Sequence, residues 1–443
     1  MATTSIQRTP GVTGNRKTWT FSAWFKRGDI SVDNDIFGYD GDGSNFIYLR
    51  LSSGDTLSFR EKLAGSNKCD FTSNQLLRDP TAWYHIVVAV DTNQGTAEDR
   101  IKFYLNGTQI TSWATDEYYA EDYESQMNES GKEIRIGDVT YYFNGCMSHV
   151  VFVDGLQLAA SYFGETDSTS GIWKYKQPVV SSYGTNGFYL KMEDSSNMDL
   201  DSSGNALTMT TSGTLTATKD NPANNFTTLN HLDNYYQSAT LTNGNNTVAT
   251  HSGNMAFTTS IFGLSAGLWY WEIDVDTSGG HDMIGIAQVP ADATGNYLGE
   301  DSGQYAYYNV SGNIYTNGAG GAYGDTYTTG DIIGVYLDLT ASKLYFAKNG
   351  TIQNSGTGYS ITAVGSTING FYFPALGDWN ASGSSTYKVN FGNGYFGTDL
   401  ISSPETDEGG LGQFKYNPST GTFDSASKDF RAICSKNIKA YGG

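Results

Sequence analysis

Three acidic residues lie two positions apart in one apolar stretch and are the sharpest candidates for acid–base chemistry. They are Glu272, Asp274 and Asp276. If this stretch is a β-strand, alternate side chains share a face, so the carboxylates stand in a row with neighbouring Cα atoms about 7 Å apart. Paired carboxyl groups of this kind serve as nucleophile and general acid in glycoside hydrolysis.

The residues between these acids favour a structural strand. Trp271, Ile273 and Val275 alternate with them and predict that one face is buried in a core while the carboxylates face solvent. The row resembles the Glu-x-Asp-x-Glu signature of concanavalin-fold glucanases, but its last member is Asp. We therefore expect no enzymatic activity.

An Asp- and Gly-rich segment is the second candidate, as a cation site. Asp40-Gly-Asp42-Gly begins like a calcium-binding loop, in which carboxylate oxygens ligate the ion. The Glu that completes such a loop is missing, so an ordinary Gly/Asp turn is the favoured interpretation. The five His residues have no spacing typical of zinc ligands.

Aromatic residues in polar loops are the third set of candidates, and the chemistry they suit is binding. Exposed rings stack on sugar C–H faces or protein loops, while nearby Asn, Ser and Gly groups form hydrogen bonds. Packing in the core or in hairpins is the alternative for part of these rings. The predicted ligand contacts are Tyr118, Tyr119, Tyr305, Tyr308, Tyr315, Tyr327 and Trp379.

The most regular stretch of the chain predicts a β-hairpin. Apolar residues alternate over 333–339, Ala341-Ser342 turns the chain, and a second run ends in Asn349-Gly350, which accepts positive φ at little cost. The hairpin resembles the central hairpin of SPRY domains, and the resemblance covers 229–398. It implies a bent β-sandwich whose loops bind partners. The further stretches that carry the resemblance are Gly267–Val275, Ile284–Ala287, Phe371–Leu376 and Val389–Gly392.

Residues 1–165 predict another antiparallel sandwich. The order of their strand-like stretches resembles the laminin-G-like, concanavalin A-like domain, and residues 15–24 are similar to versions of it in tailed-phage virion proteins. These stretches are Trp19–Arg27, Trp83–Val90, Ile101–Gly107, Lys132–Gly137 and Gly145–Val153.

This second resemblance carries two further expectations. The family has an extra first strand, for which only Thr4–Gln7 remain here, so a later segment is expected to complete the sheet edge. The family also implies a calcium ion at the rim, with Asp40, Asp42 or Asp138 among its ligands.

The remaining segments complete an all-β architecture of two antiparallel, jelly-roll-like β-sandwich domains. Residues 166–228 form a turn-rich connector with short strands, expected to be folded because Phe188 and Leu190 need burial. Residues 399–443 form a short C-terminal tail, in which 430–435 suits one helical turn. Connector and tail both resemble segments found beside such domains in phage proteins.

Composition excludes several function classes. The 443 residues include 46 acidic and 26 basic ones, and a net charge of −20 repels a phosphate backbone, so nucleic-acid binding is not expected. Three distant Cys residues predict buried free thiols, with a Cys69–Cys146 disulfide as the alternative. We find no long apolar run, and expect neither a signal peptide nor membrane insertion.

Three functions compete on this basis. The favoured one is a tailed-phage surface protein of the tail-fibre or receptor-binding kind, which binds host-surface glycan or protein. The alternative is capsid or tail decoration, with contacts mainly to other virion proteins. A surface-polysaccharide hydrolase is the least favoured of the three functions. The expected location is the virion surface, in many copies or as a homo-oligomer, after synthesis in the host cytoplasm.

Overall fold

The computed structural model describes residues 4–233, 239–251, 255–290, 296–379 and 384–442. Within these residues the chain consists almost entirely of antiparallel strands, with two short α-helices. It divides into two compact units, of which the first ends at Ala217 and the second begins at Thr218. The predicted all-β class is confirmed.

The first unit is a sandwich of an eight-stranded and a six-stranded sheet. Rings from the two sheets meet in its core, where Phe21 and Phe37 stack at 3.9 Å. The elements are β1 Ser5–Arg8, β2 Thr18–Arg27, β3 Asn34–Asp42, β4 Asn45–Leu51, β5 Thr56–Leu63, β6 Ser66–Leu76, β7 Trp83–Asp91, α1 Ala97–Arg100, β8 Ile101–Leu105, β9 Thr108–Gln109, β10 Trp113–Glu117, β11 Ile134–Ile136, β12 Gly145–Asp154, β13 Gly164–Thr166, β14 Trp173–Tyr175, β15 Phe188–Leu190 and β16 Thr210–Ser212.

Two strands of the predicted connector belong to the sheets of the first unit. The eight-stranded sheet runs β10-β6-β5-β4-β3-β11-β1-β16, and the six-stranded sheet runs β15-β12-β2-β7-β8-β9. Strand β16 pairs with β1, so a later segment completes the sheet edge as expected. Strand β15 pairs with β12 and buries Phe188 and Leu190. The connector sequence up to Ala217 therefore belongs to the first unit.

The second unit has the same kind of architecture. Its eight-stranded sheet contains β17-β18-β30-β20-β25-β26-β27, with β28 also paired to β26, and its six-stranded sheet runs β19-β29-β21-β22-β23-β24. The elements are β17 Thr240–Thr242, β18 Thr247–Ala249, β19 Ala256–Thr259, β20 Leu268–Thr277, β21 Asp282–Ala287, β22 Gln304–Tyr308, β23 Asn313–Thr316, β24 Ala319–Ala322, β25 Ile332–Asp338, β26 Lys343–Lys348, β27 Thr351–Ile352, β28 Tyr359–Ser360, β29 Phe373–Asp378, β30 Thr386–Asn390, β31 Tyr395–Phe396, β32 Asp399–Leu400, β33 Glu405–Thr406, β34 Gln413–Phe414 and α2 Ser435–Tyr441.

The predicted hairpin is present as β25 and β26. The two strands pair in register from Ile333 opposite Lys348 to Asp338 opposite Lys343. The backbone takes positive φ at Asn349 (50°) and Gly350 (79°), where the sequence indicated it.

The C-terminal tail covers a face of the second unit. Its rings Phe414, Phe423 and Phe430 pack against Tyr270 and Tyr336, which point away from the inner core of the eight-stranded sheet. The tail therefore builds a second apolar layer instead of extending from the domain. The helical turn predicted at 430–435 is wrong, because 430–434 are not helical and helix α2 begins only at Ser435.

Within the described residues none of the three cysteines forms a disulfide. Cys69 and Cys434 are buried, as predicted, whereas Cys146 is only half-buried. Among the described residues, none of the helices is long and apolar enough to cross a membrane.

Candidate binding site

Four aromatic rings pack together on the outer face of the six-stranded sheet of the second unit. We call them the aromatic cluster: Tyr297, Tyr308, Tyr315 and Trp379. The ring of Trp379 is central, with centroid distances of 4.6 Å to Tyr297, 5.0 Å to Tyr308 and 5.1 Å to Tyr315. Three of the seven predicted ligand contacts thus come together.

Strand alternation places these rings outside the core. In β22, Tyr305 and Tyr307 point inward, so Ala306 and Tyr308 point outward. In β23, Ile314 points inward and Tyr315 outward. Trp379 follows β29 directly, and its main-chain N–H donates to the carbonyl of His281 at 2.9 Å. Neighbouring strands therefore fix three of the four rings.

The cluster has a buried floor and an accessible rim. Tyr297 and Tyr308 are buried, whereas Tyr315 and Trp379 are half-exposed. The Tyr308 hydroxyl lies 2.6 Å from His281 Nδ1, which holds the ring in place. Burial raises the pKa of Tyr308 and of Tyr297, so both hydroxyls stay neutral hydrogen-bonding groups. A ligand would meet Tyr315 and Trp379 first.

Two predicted contacts of the second unit lie in its inner core instead. Tyr305 and Tyr327 are buried, so the expectation that their rings are exposed is wrong. Their hydroxyls are satisfied internally, because Thr362 N–H donates to Tyr305 at 2.9 Å and Tyr327 donates to the Tyr307 carbonyl at 2.8 Å. A tyrosine is stable in a core when its hydroxyl has such a partner.

The acidic row on β20 is divided between two environments. Trp271, Ile273 and Val275 face the inner core as predicted. Glu272 is fully buried beneath the tail, so the expectation that it faces solvent is wrong. Asp274 is half-buried, and the exposed Asp276 lies 2.6 Å from Lys388 Nζ.

Glu272 acts as an anchor for the tail. Its carboxylate accepts hydrogen bonds from the N–H groups of Lys415 and Tyr416, both at 2.8 Å. Tyr270 Oη and Asn390 Nδ2 donate to it at 2.9 and 3.2 Å. Burial outweighs these donors and raises the pKa of Glu272 to about 7.

Comparison with known proteins identifies both domains. The model of the SPRY domain family matches residues 268–392. The second unit contains a SPRY domain. The model described as the concanavalin A-like lectin/glucanases superfamily matches residues 2–159, so the first unit contains that domain.

Two curated relatives each match a stretch of 88 residues of this chain. A "Ran-binding proteins 9/10 homolog" of Drosophila melanogaster is 34% identical over 88 residues, which is 19% of this chain and 9% of that protein. "Ran-binding protein 10" of Danio rerio is 32% identical over 88 residues, 19% of this chain and 15% of that protein. The match thus spans less than a fifth of either relative.

Solved structures show the same kind of similarity. The SPRY domain of human HERC1 is 21% identical, with 34% of this chain and 92% of that chain covered and a TM-score of 0.29. The TRIM65 PSpry domain is 16% identical, with 37% and 91% covered and a TM-score of 0.30.

The two predicted ligand contacts of the concanavalin A-like domain, Tyr118 and Tyr119, are adjacent in sequence but lie in different environments. Tyr119 is buried and donates to Glu61 at 2.6 Å, so its predicted exposure is wrong. Tyr118 is half-buried and packs edge-on against Phe71 at 4.9 Å. It lines a cavity of about 140 Å³ together with Trp113 and Gln109. The ring of Tyr118 therefore keeps an accessible edge.

The predicted calcium ligands do not form a carboxylate cluster. Asp40 is exposed, and Asp42 accepts hydrogen bonds from Ser44 N–H at 2.7 Å and Asn45 Nδ2 at 3.0 Å, as in an Asp-capped turn. Asp138 is half-buried with Arg135 Nη1 at 4.0 Å. Across the described part of the chain, no three His, Cys, Asp or Glu side chains converge as metal ligands. Calcium binding at the rim, with Asp40, Asp42 or Asp138 among the ligands, stays a prediction.

Sequence reasoning missed two members of the SPRY site. Tyr297 lies between Asn296 and Gly299. The other rings were chosen because they lie near such polar and small residues, so the same criterion would have found Tyr297. His281 carried no such signal, because its role depends on its distance to Tyr308 in the folded chain.

Proposed function

We propose that this chain is a non-enzymatic surface protein of a tailed-phage virion, of the tail-fibre or receptor-binding kind. It binds a host-surface glycan or protein through its lectin-like sandwich domains, without a cofactor. The aromatic cluster is the observation that carries this proposal, since Tyr315 and Trp379 are packed in place and remain only partly buried.

The geometry of the cluster suits recognition. Its rings are held by contacts at 4.6–5.1 Å around Trp379, so a ligand orders few additional rotamers on binding. Ring faces stack on sugar C–H groups or on apolar side chains, and aromatic residues are enriched at binding hot spots. His281 is already hydrogen-bonded to Tyr308, which favours a positioning role over acid–base chemistry.

The order of the domains supports the phage setting, and the names of the relatives support binding. A concanavalin A-like domain followed by a SPRY domain and a tail resembles the order in tailed-phage virion proteins. The two curated relatives, from Drosophila melanogaster and Danio rerio, are named as Ran-binding proteins, which supports a binding role and not the phage setting. A phage particle would present many copies, and effective concentration then converts weak single contacts into stable adhesion.

Adsorption assays with the purified full chain test the binding role. The wild-type protein should bind host cells and compete with phage adsorption, whereas Trp379→Ala should lower the apparent affinity about tenfold or more. Tyr142→Ala is the matched control, because Tyr142 is an exposed ring (40%) in the other domain, outside the cluster. Equal binding by the Trp379 variant and wild type would overturn the site assignment.

Cryo-electron microscopy of the intact particle tests the location. Density for this chain at a tail tip, with the aromatic cluster facing outward, is the expected result. Copies spread over the capsid shell, with the cluster buried against other subunits, would overturn adhesion and establish decoration.

A further inference from the structure

The last 33 residues of the C-terminal tail are net basic, although the protein as a whole is acidic. Residues 411–443 contain five basic and two acidic residues, whereas the whole chain carries a net charge of −20. Where this tail meets β20 and β25, it forms a groove of about 600 Å³. A groove of this size lies in the range that holds small ligands.

One cation in this groove has a fixed position and unused donors. The main chain of Arg431 is held against β20, because Tyr270 N–H donates to its carbonyl at 2.9 Å and its own N–H donates to Leu268 at 3.1 Å. Its guanidinium stacks on Tyr441, with Cζ 3.8 Å from the ring centre. Within the described residues it has neither an ion pair nor a side-chain hydrogen bond, unlike Lys428, which pairs with Asp338 at 2.7 Å.

Stacking leaves the edge of the guanidinium available. A guanidinium that lies flat on a ring directs its N–H groups sideways, in a fork that matches the two oxygens of a carboxylate. Tyr441 is itself held in place, since α2 ends there and Ser265 Oγ donates to the Gly442 carbonyl at 2.9 Å. The fork is therefore preorganised for an oxyanion.

The other residues that line the groove restrict the class of ligand that it can bind. Thr340 and Ser427 supply hydroxyl groups, and Tyr441 is 48% exposed and offers ring surface. Asp338 and Asp429 also line the groove, so a polyphosphate or another dense polyanion would be repelled. Carboxylates do accept hydrogen bonds from sugar hydroxyls. A sugar with one carboxylate per unit satisfies all of these groups.

We propose that this groove, around Arg431 and Tyr441, is a binding site for an acidic sugar of the hexuronate type. The carboxylate of the sugar pairs with the Arg431 fork, its C–H face lies on the exposed ring edge of Tyr441, and its hydroxyls bond to the groove walls. The site shares no residue with the aromatic cluster and does not rest on the function proposed above.

Isothermal titration calorimetry of the full chain with tri-galacturonate tests the site. Wild type should bind the acidic sugar with an affinity that falls as salt is raised, and should bind a neutral galactose oligomer at least tenfold more weakly. Arg431→Ala should lose about tenfold or more in affinity, and Arg431→Lys should lose affinity as well, because an ammonium cannot form the fork.

Arg135→Ala is the matched control. Arg135 is a half-exposed arginine of the concanavalin A-like domain, paired with Glu133 at 2.8 Å, and its removal should leave the titration unchanged. Circular dichroism and Tm establish whether each variant is folded, and Arg431→Lys, which keeps the charge and the alkyl stem, is the safeguard if Arg431→Ala unfolds.

Three results would overturn the proposal: equal binding by wild type and both Arg431 variants, equal binding of neutral and acidic sugar, and no heat with the acidic sugar at millimolar concentration. Binding of a poly-glutamate peptide in place of the sugar would also overturn it, since the groove would then recognise protein carboxylates.

Discussion

Trp379 and Tyr297 stack with ring centroids 4.6 Å apart and planes inclined by 27°. The pair joins the end of β29 to a loop that precedes β22, over a distance of 82 positions in the chain. Both rings belong to the aromatic cluster on the outer face of the sheet. Substitutions in this cluster and substitutions in the inner core should therefore have different effects, the first mainly on binding and the second mainly on stability.

Tyr315→Ala and Tyr305→Ala should separate binding from stability. Tyr315 is half-exposed, so its removal should lower host-cell binding and lower the free energy of unfolding by only about 1 kcal/mol. Tyr305 is buried in the inner core, and its removal should cost about 3–5 kcal/mol. Urea unfolding and cell-binding assays on both variants provide the measurement. Similar stability losses at the two positions would contradict the assigned orientations.

Glu272 should make the stability of the SPRY domain depend on pH. Its pKa is raised from 4.5 to about 7 in the folded chain, so folding favours the protonated form. Its contribution to stability is therefore fully present below pH 4.5 and is lost as the pH rises through 7. Urea unfolding of wild type and Glu272→Gln between pH 4.5 and 8 should show this decline in wild type only.

The same variant should be less stable than wild type at pH 5. Lys415 and Tyr416 N–H donate to different carboxylate oxygens of Glu272, and Gln replaces one of these oxygens with an NH2 group that only donates. One of the two N–H groups therefore loses its acceptor, and a buried unsatisfied donor costs about 1–3 kcal/mol. An identical pH slope in wild type and variant would show that Glu272 does not carry the effect.

The tail should be an integral part of the SPRY domain. Phe430 is fully buried, with ring contacts at 5.0 Å to Tyr336 and 4.9 Å to Phe423, so Phe430→Ala should lower the free energy of unfolding by about 3–5 kcal/mol. Ile368→Ala is the control, because Ile368 is 74% exposed and its loss should change stability by less than about 0.5 kcal/mol. A detachable tail would give equal, small effects in thermal unfolding.

Asp42 should behave as a turn residue. Asp42→Asn keeps a side-chain oxygen that accepts from Ser44 N–H, so it should leave Tm nearly unchanged, whereas Asp42→Ala removes the acceptor and should lower Tm. Differential scanning calorimetry with added calcium and with chelator completes the test. A Tm that rises with calcium in wild type but not in Asp42→Asn would establish a cation site in place of the turn.

Local periodicity predicted the central hairpin of the second unit and the inner face of β20. Alternation over 333–339 and the turn at Ala341-Ser342 predicted the hairpin, and the alternation of Trp271, Ile273 and Val275 predicted which side of β20 is buried. These features depend on neighbours within a few positions, so the residue types determine them.

Tertiary structure alone determined what covers the strand faces that point away from the inner core. Glu272 is buried by residues 143 and 144 positions later, and no pattern near Glu272 indicates that the tail returns to it. Likewise, Tyr118 and Tyr119 have the same local composition, yet only Tyr119 reaches a buried carboxylate, on Glu61. Which side chains remain accessible for binding depends on these long-range contacts, because alternation defines two faces of a strand without determining what covers the second.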